Sequence, residues 1–244
     1  MKKQPKHLIP NILTLFNMFI GFLAIGLIIN DQPVQAGIFV LFSGMFDIFD
    51  GKIARLLGIE SKFGIEFDSM ADTVSFCVVP SILIYSLYVD GLHPLLGGAM
   101  SFIPLMFGSI RLAKFNIQQE FGNKTSYTIG LTTPIATITL FSYLFFNHHV
   151  YGDIGDPRTA LMLAALLGYL MISPVHFAKF PLLSFKYSKS NSIMLMVFIL
   201  SFIGMITLRG LFLLPLCIVF ISWNTLHWFI FVNRKNSLSS KVQQ

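Results

Sequence analysis

The feature that most constrains this chain is its series of apolar runs, several of which reach the roughly 20 residues a helix needs to cross a bilayer. No water is available inside a bilayer to satisfy backbone N–H and C=O groups, so runs of this length resolve as helices. Eight spans are predicted, at about 8–29, 35–57, 63–89, 94–117, 127–147, 157–175, 191–208 and 210–233. The expected class is an all-α polytopic membrane protein with eight transmembrane helices. Turn-forming stretches such as Asn30-Asp31-Gln32-Pro33 and Gly152-Asp153-Ile154-Gly155-Asp156-Pro157 separate the runs. Composition agrees: 11% of the residues are charged, against about a quarter in a soluble domain.

A net charge of +6 raises the question of nucleic acid, but the cations sit in short clusters between apolar runs, which is a topology signal. With the N-terminus in the cytoplasm, fifteen of the 17 Lys and Arg residues fall inside, and only Arg158 and Arg209 fall outside. The weakest boundary is at 208–210. A seven-span chain, unbroken there, would carry Arg234, Lys235 and Lys241 outside, so eight spans fit the bias better. The expectation is an integral protein of the cytoplasmic membrane with both termini cytoplasmic, no cleavable signal peptide, a loose tail after Arg234 and no nucleic-acid partner. Cys77 and Cys217 lie within apolar runs and read as packed thiols.

Six of the 11 acidic residues fall between positions 47 and 72, and four of these are the aspartates Asp47, Asp50, Asp68 and Asp72 at the inner ends of the second and third spans. Asp47 and Asp50 are three apart and Asp68 and Asp72 four apart, so each pair shares a helical face. A charged side chain costs about 2.5–3.5 kcal/mol at the centre of a membrane helix on insertion scales. Lys52 and Arg55 are too few to offset four carboxylates, and Lys62 is spaced to pair with Glu66. Bound Mg²⁺ or Mn²⁺, which prefer carboxylate oxygens completed by substrate phosphates, would compensate them. Residue chemistry alone leaves two uses open: an enzyme acting on phosphates, or a site in a divalent-cation transporter.

The stretch resembles the signature of the CDP-alcohol phosphotransferases, D-x-x-D-G-x-x-A-R-x(8)-G-x-x-x-D-x-x-x-D. Asp47, Asp50, Gly51, Ala54, Arg55, Gly64, Asp68 and Asp72 occupy every fixed position. That resemblance implies a two-metal site in a six-helix core, with Asp47, Asp50 and Asp68 as ligands and Asp72 as both ligand and general base on an acceptor hydroxyl. It further implies that Gly51, Ala54, Arg55 and Gly64 meet the CDP-lipid, and that the protein is a homodimer. Residues 1–175 would form the core, 176–234 an added helix pair and 235–244 a cytoplasmic tail.

Flanking stretches are similar to the phosphatidylserine synthase branch of that family. Pro10-Asn11-Ile12-Leu13-Thr14-Leu15-Phe16-Asn17 looks like its opening span, and Asn11, Thr14 and Asn17 share a face that could reach the nucleotide. Asp68-Ser69-Met70-Ala71-Asp72-Thr73-Val74-Ser75-Phe76, Arg111-Leu112-Ala113-Lys114-Phe115-Asn116 and Gly130-Leu131-Thr132-Thr133-Pro134 also match, although Cys77 stands where Gly is expected and Thr132 where Pro is expected. The implied substrates are CDP-diacylglycerol and L-serine, with CMP as product. Serine presents a carboxylate, for which Arg111, Lys114 and Asn116 are candidate donors. Glycerol 3-phosphate, inositol phosphate and choline are the alternative acceptors: the phosphorylated ones call for several basic residues, and choline calls for an aromatic cage.

Overall fold

The computed structural model describes residues 8–57, 61–120, 127–178 and 211–242. Leu8–Ile29 (α1) and Pro33–Leu57 (α2) are the first two spans. They pack antiparallel along their length through a tight turn in which Asp31 takes a left-handed conformation (φ 58°), one that Asp tolerates better than most residues. The third span is composite. Lys62–Thr73 (α3) passes through a π-helical segment, Val74–Val78, into Val79–Leu87 (α4). The fourth is also broken, with Pro94–Ser101 (α5) and Ile103–Glu120 (α6) meeting at Phe102. At that break the N–H of Leu105 donates to Ser81 Oγ of α4 at 3.0 Å, which anchors the start of α6.

The expected fifth span begins later than the apolar pattern suggests. Tyr127–Ile129 forms a short strand (β1) paired antiparallel with His176–Ala178 (β2), and the helix Thr133–Val150 (α7) starts only after Gly130. Gly130 has φ +75°, and a Cβ there would lie 3.0 Å from the carbonyl carbon of Met171, so the turn into α7 needs glycine. Pro157–Ile172 (α8) follows, its N-terminus capped by Asp156, which accepts from the N–H of Thr159 at 2.9 Å. Hydrogen bonds from Thr159 hold the Asp156 carboxyl below its ordinary pKa. The predicted span 191–208 lies outside the described residues. The last helix, Leu213–Val242 (α9), continues eight residues beyond Arg234, where a loose tail was expected.

Among the described residues, length and hydropathy make five segments able to cross a membrane: 10–29, 33–53, 62–87, 94–118 and 213–231. The centre of the molecule is none of these. It is α7, whose Ala136, Thr137 and Leu140–Phe145 are buried. One core layer joins α7 to α8 and the end of α4 through Ile84, Leu140, Ala164 and Leu167, and a second joins α1, α2 and α4 to α7 through Ile28, Val40, Phe76, Leu83 and Phe141. Large side chains such as Phe16, Phe19 and Phe22 on α1, and Trp223, Leu226 and Phe229 on α9, point outward, as suits contact with lipid. At the end opposite α2's C-terminus, Tyr88 and Tyr143 donate to the carbonyls of Ile154 and Asp156 at 2.7 and 3.0 Å, fastening the loop that precedes α8.

Candidate active site

Antiparallel packing of α1 on α2, with α3 against both α1 and α6, brings four helix ends together. Asp47 and Asp50 lie near the end of α2, and Asp68 and Asp72 near the start of the third span. One carboxylate oxygen from each of Asp47, Asp50 and Asp68 lies within 4.8 Å of the others. Asp72 is one turn beyond Asp68, 9% exposed, with its side chain against Asp47. The two same-face pairs therefore converge as the spacing predicts.

Electrostatics decide what such a cluster requires. Two unit charges at this separation repel by about 3–4 kcal/mol even at an effective dielectric of about 20. Arg111, the one buried cation among the described residues, interacts with Asp72 and Asp47 but cannot balance four carboxylates. Asp50 Oδ1 and Asp72 Oδ1 are moreover buried without a hydrogen-bond partner. Unsatisfied carboxylate oxygens around a compact acidic trio fit hard divalent cations, and the donor set suits Mg²⁺ or Mn²⁺.

The surrounding side chains sort by what they touch. Thr14, 4% exposed, donates to Asp50 Oδ2 at 2.9 Å. Asn11 is half-buried on the same face, and its Oδ1 would lie 3.8 Å from a Cβ at Gly64. Gly64 stands in the first turn of α3 and donates its N–H to the Ser61 cap at 3.0 Å. Asn17 is 0% exposed and receives a hydrogen bond from Ser43 at Oδ1, while its Nδ2 is buried without a hydrogen-bond partner. Gly51 directly follows Asp50 on α2. The α2 backbone continues through Ala54 and Arg55, whose side chains lie outside the described residues.

On α6, Arg111 is 7% exposed, stacks over Phe115 at 5.6 Å, and donates to Thr133 Oγ1 at 3.4 Å, leaving its Nε buried and unpartnered. Lys114 is exposed. Asn116 turns to α3, where its Nδ2 donates to Ser69 Oγ at 2.9 Å and to Glu66 at 3.4 Å. Glu66 was expected to pair with Lys62. The α6 triplet thus divides into one guanidinium at the carboxylates, one exposed amine and one amide bridging α6 to α3. Sequence reasoning did not single out Ser43, Ser69 or Ser75, because lone serines in apolar helices carry no signal distinct from packing.

Fold and site together define a polytopic helical membrane protein with an intramembrane acidic centre suited to divalent metal. The chain belongs to the CDP-alcohol phosphatidyltransferase family, whose model matches residues 7–172. It is 34% identical over 212 residues to the CDP-diacylglycerol–serine O-phosphatidyltransferase of Helicobacter pylori (strain ATCC 700392 / 26695), covering 86% of each chain. The protein of that name in Bacillus subtilis (strain 168) is 35% identical over 173 residues, or 70% of this chain and 90% of the relative. The archaetidylserine synthase of Methanothermobacter thermautotrophicus is 33% identical over 175 residues, or 70% of each. The chain is accordingly a membrane transferase of phospholipid biosynthesis.

Proposed function

We propose that this protein transfers the phosphatidyl group of CDP-diacylglycerol to the hydroxyl of L-serine, forming phosphatidylserine and CMP. The observation that carries this reading is the approach of the Asp47, Asp50 and Asp68 carboxylates within 4.8 Å, beside buried Asp72 and Arg111. Asp47, Asp50, Asp68 and Asp72 would hold two Mg²⁺ or Mn²⁺ ions, which would supply positive charge to offset the diphosphate and the departing CMP. Asp72 takes the proton of the serine hydroxyl as that oxygen bonds to the lipid-linked phosphorus, and the bond from this phosphorus to the CMP oxygen breaks. Asn11, Gly51, Ala54, Arg55 and Gly64 border the nucleotide. Thr14 fixes Asp50, and Asn17 supports the cluster from beneath.

Arg111 receives the serine carboxylate, since a guanidinium with an unpartnered buried Nε matches a carboxylate fork. Lys114 adds positive charge at the rim, and Asn116 orients α3 through Ser69. One buried cation among the described residues suits an acceptor with one carboxylate better than a phosphorylated one, and the names of the relatives favour serine over glycerol 3-phosphate, inositol phosphate or choline. The Lys and Arg bias supports cytoplasmic termini and a site open to the cytoplasm, and the family resemblance supports a homodimer with a core of residues 1–175.

Purified protein incubated with CDP-diacylglycerol, Mn²⁺ or Mg²⁺ and a panel of labelled alcohols tests the reading. Serine-dependent CMP release is expected. Absence of CMP with every acceptor overturns the transferase assignment, and preference for another alcohol overturns serine alone.

A further inference from the structure

The turn that follows Asp72 has a fully buried centre. Val74–Val78 winds as a π-helix, with the N–H of Val79 bonded to the carbonyl of Val74. Ser75, Phe76 and Cys77 are each 0% exposed, and each docks on a different helix. Ser75 Oγ donates to the carbonyl of Asn17 on α1 at 3.1 Å, at a contact so close that a Cβ on Gly21 would lie 2.9 Å from Ser75 Cα. The carbonyl of Phe76 accepts from Thr137 Oγ1 on α7 at 2.7 Å. Cys77 lies on Gly108 of α6, where a Cβ would come within 3.3 Å of Cys77 Cβ and 3.4 Å of the methyl of Thr133, the partner of Arg111.

Thr137 differs from its neighbours on α7. Thr139 and Ser142 return their hydroxyls to their own helix, at the carbonyls of Ile135 and Thr139, both at 2.7 Å. Both also meet the Cys217 thiol of α9, whereas Thr137 is the one of these three bonded to the π segment. A π turn holds one residue more than the α turn it replaces, so relaxing it to α-helix would rotate α3 against α4 by roughly 100°, the advance of one residue. Such a rotation would carry Asp68 and Asp72 off the face they share with Asp47 and Asp50.

We propose that the π segment sets the rotation of the Asp68–Asp72 face, and that Thr137 is the positioning residue that holds it through the Phe76 carbonyl. Both Thr137 and Phe76 are 0% exposed, so bulk solvent does not reach the bond to replace it. The inference rests on the assignment of Asp72 to the active site.

Thr137→Val keeps the side-chain shape and removes the donor, and Thr137→Ser keeps the donor. The full-length protein is assayed for CMP release with CDP-diacylglycerol, serine and Mn²⁺, and separately for Mn²⁺ affinity by electron paramagnetic resonance of the free ion. For Thr137→Val, kcat should fall tenfold or more and the Mn²⁺ dissociation constant should rise at least threefold. Both KM values should stay within twofold, and Thr137→Ser should restore kcat and Mn²⁺ affinity to within twofold. A merely structural role would lower the melting temperature and leave kcat and Mn²⁺ affinity at parent values below it, which overturns the proposal. If Thr137→Val does not accumulate folded, Ser75→Ala is read on the same two measurements with the same deciding outcomes. A parent protein that neither binds Mn²⁺ nor releases CMP would instead overturn the active-site assignment.

Discussion

The hydroxyl of Thr14 lies between two acceptors, Asp50 Oδ2 at 2.9 Å and the carbonyl of Pro10, one turn back on its own helix, at 3.0 Å. One hydroxyl hydrogen cannot serve both fully. The charged acceptor is the stronger claim, so α1 is tied to the acidic centre by a hydrogen bond worth about 1.5–3 kcal/mol. Thr14→Val, which keeps the shape, should raise the Mg²⁺ or Mn²⁺ concentration for half-maximal activity by about tenfold, in line with that energy. Thr14→Ser should stay near the parent. Metal titrations of CMP release check both, and an unshifted Thr14→Val curve would show the bond to be incidental.

Asp72→Asn removes the proposed base while preserving volume. Turnover should drop by about 10²–10⁴, the usual worth of positioned proton transfer, and more if metal binding is also impaired. Binding of a CDP analogue, measured by calorimetry in detergent, should weaken by far less. Turnover near the parent level would remove Asp72 from the base role.

Chelation should abolish CMP release, and Mn²⁺ or Mg²⁺ should restore it. With the metal removed, the clustered carboxylates repel one another, so Asp68→Asn should melt at a higher temperature than the chelated parent. Relief of even 1 kcal/mol amounts to about 2–4 °C in a chain of this size. In saturating Mn²⁺ the order should reverse, because the parent gains more from the ion. Thermal denaturation with and without chelator reads both, and an unchanged melting order would argue against a cation in the trio.

Arg111→Lys keeps the charge and loses the planar fork that stacks on Phe115. The expected result is a rise of tenfold or more in KM for serine, with KM for the CDP-lipid within threefold. Steady-state kinetics with each substrate varied separates the two. Equal effects on both constants would place Arg111 at the diphosphate rather than at serine.

The acidic centre was legible because helical spacing alone aligns Asp47 with Asp50 and Asp68 with Asp72, and a short link brings the pairs together. Depth was less legible. Asn11, Thr14 and Asn17 share a face, yet Asn17 lies about 9 Å further along the helix axis than Asn11, at 1.5 Å per residue. Periodicity gives the angle of a side chain, and the neighbours decide whether anything is left to bind. The π turn after Asp72 has no local signature, since its bonds from Ser75 to Asn17 and from Thr137 to Phe76 join residues 58 and 61 positions apart. Tyr127–Ile129 read as helix for the same reason: its partner, His176–Ala178, lies beyond two further helices.

The placement of α7 at the centre, bearing Thr137, Thr139 and Ser142 among its buried residues, inverts the usual map of mutational tolerance. In a water-soluble domain the interior resists polar replacements and the exterior accepts them. Here a library of random variants should keep almost any apolar residue at the exposed Phe16, Phe19 or Phe22 and lose apolar replacements at the α7 hydroxyls. Stabilising this protein by making it more hydrophobic would therefore damage it first at its middle.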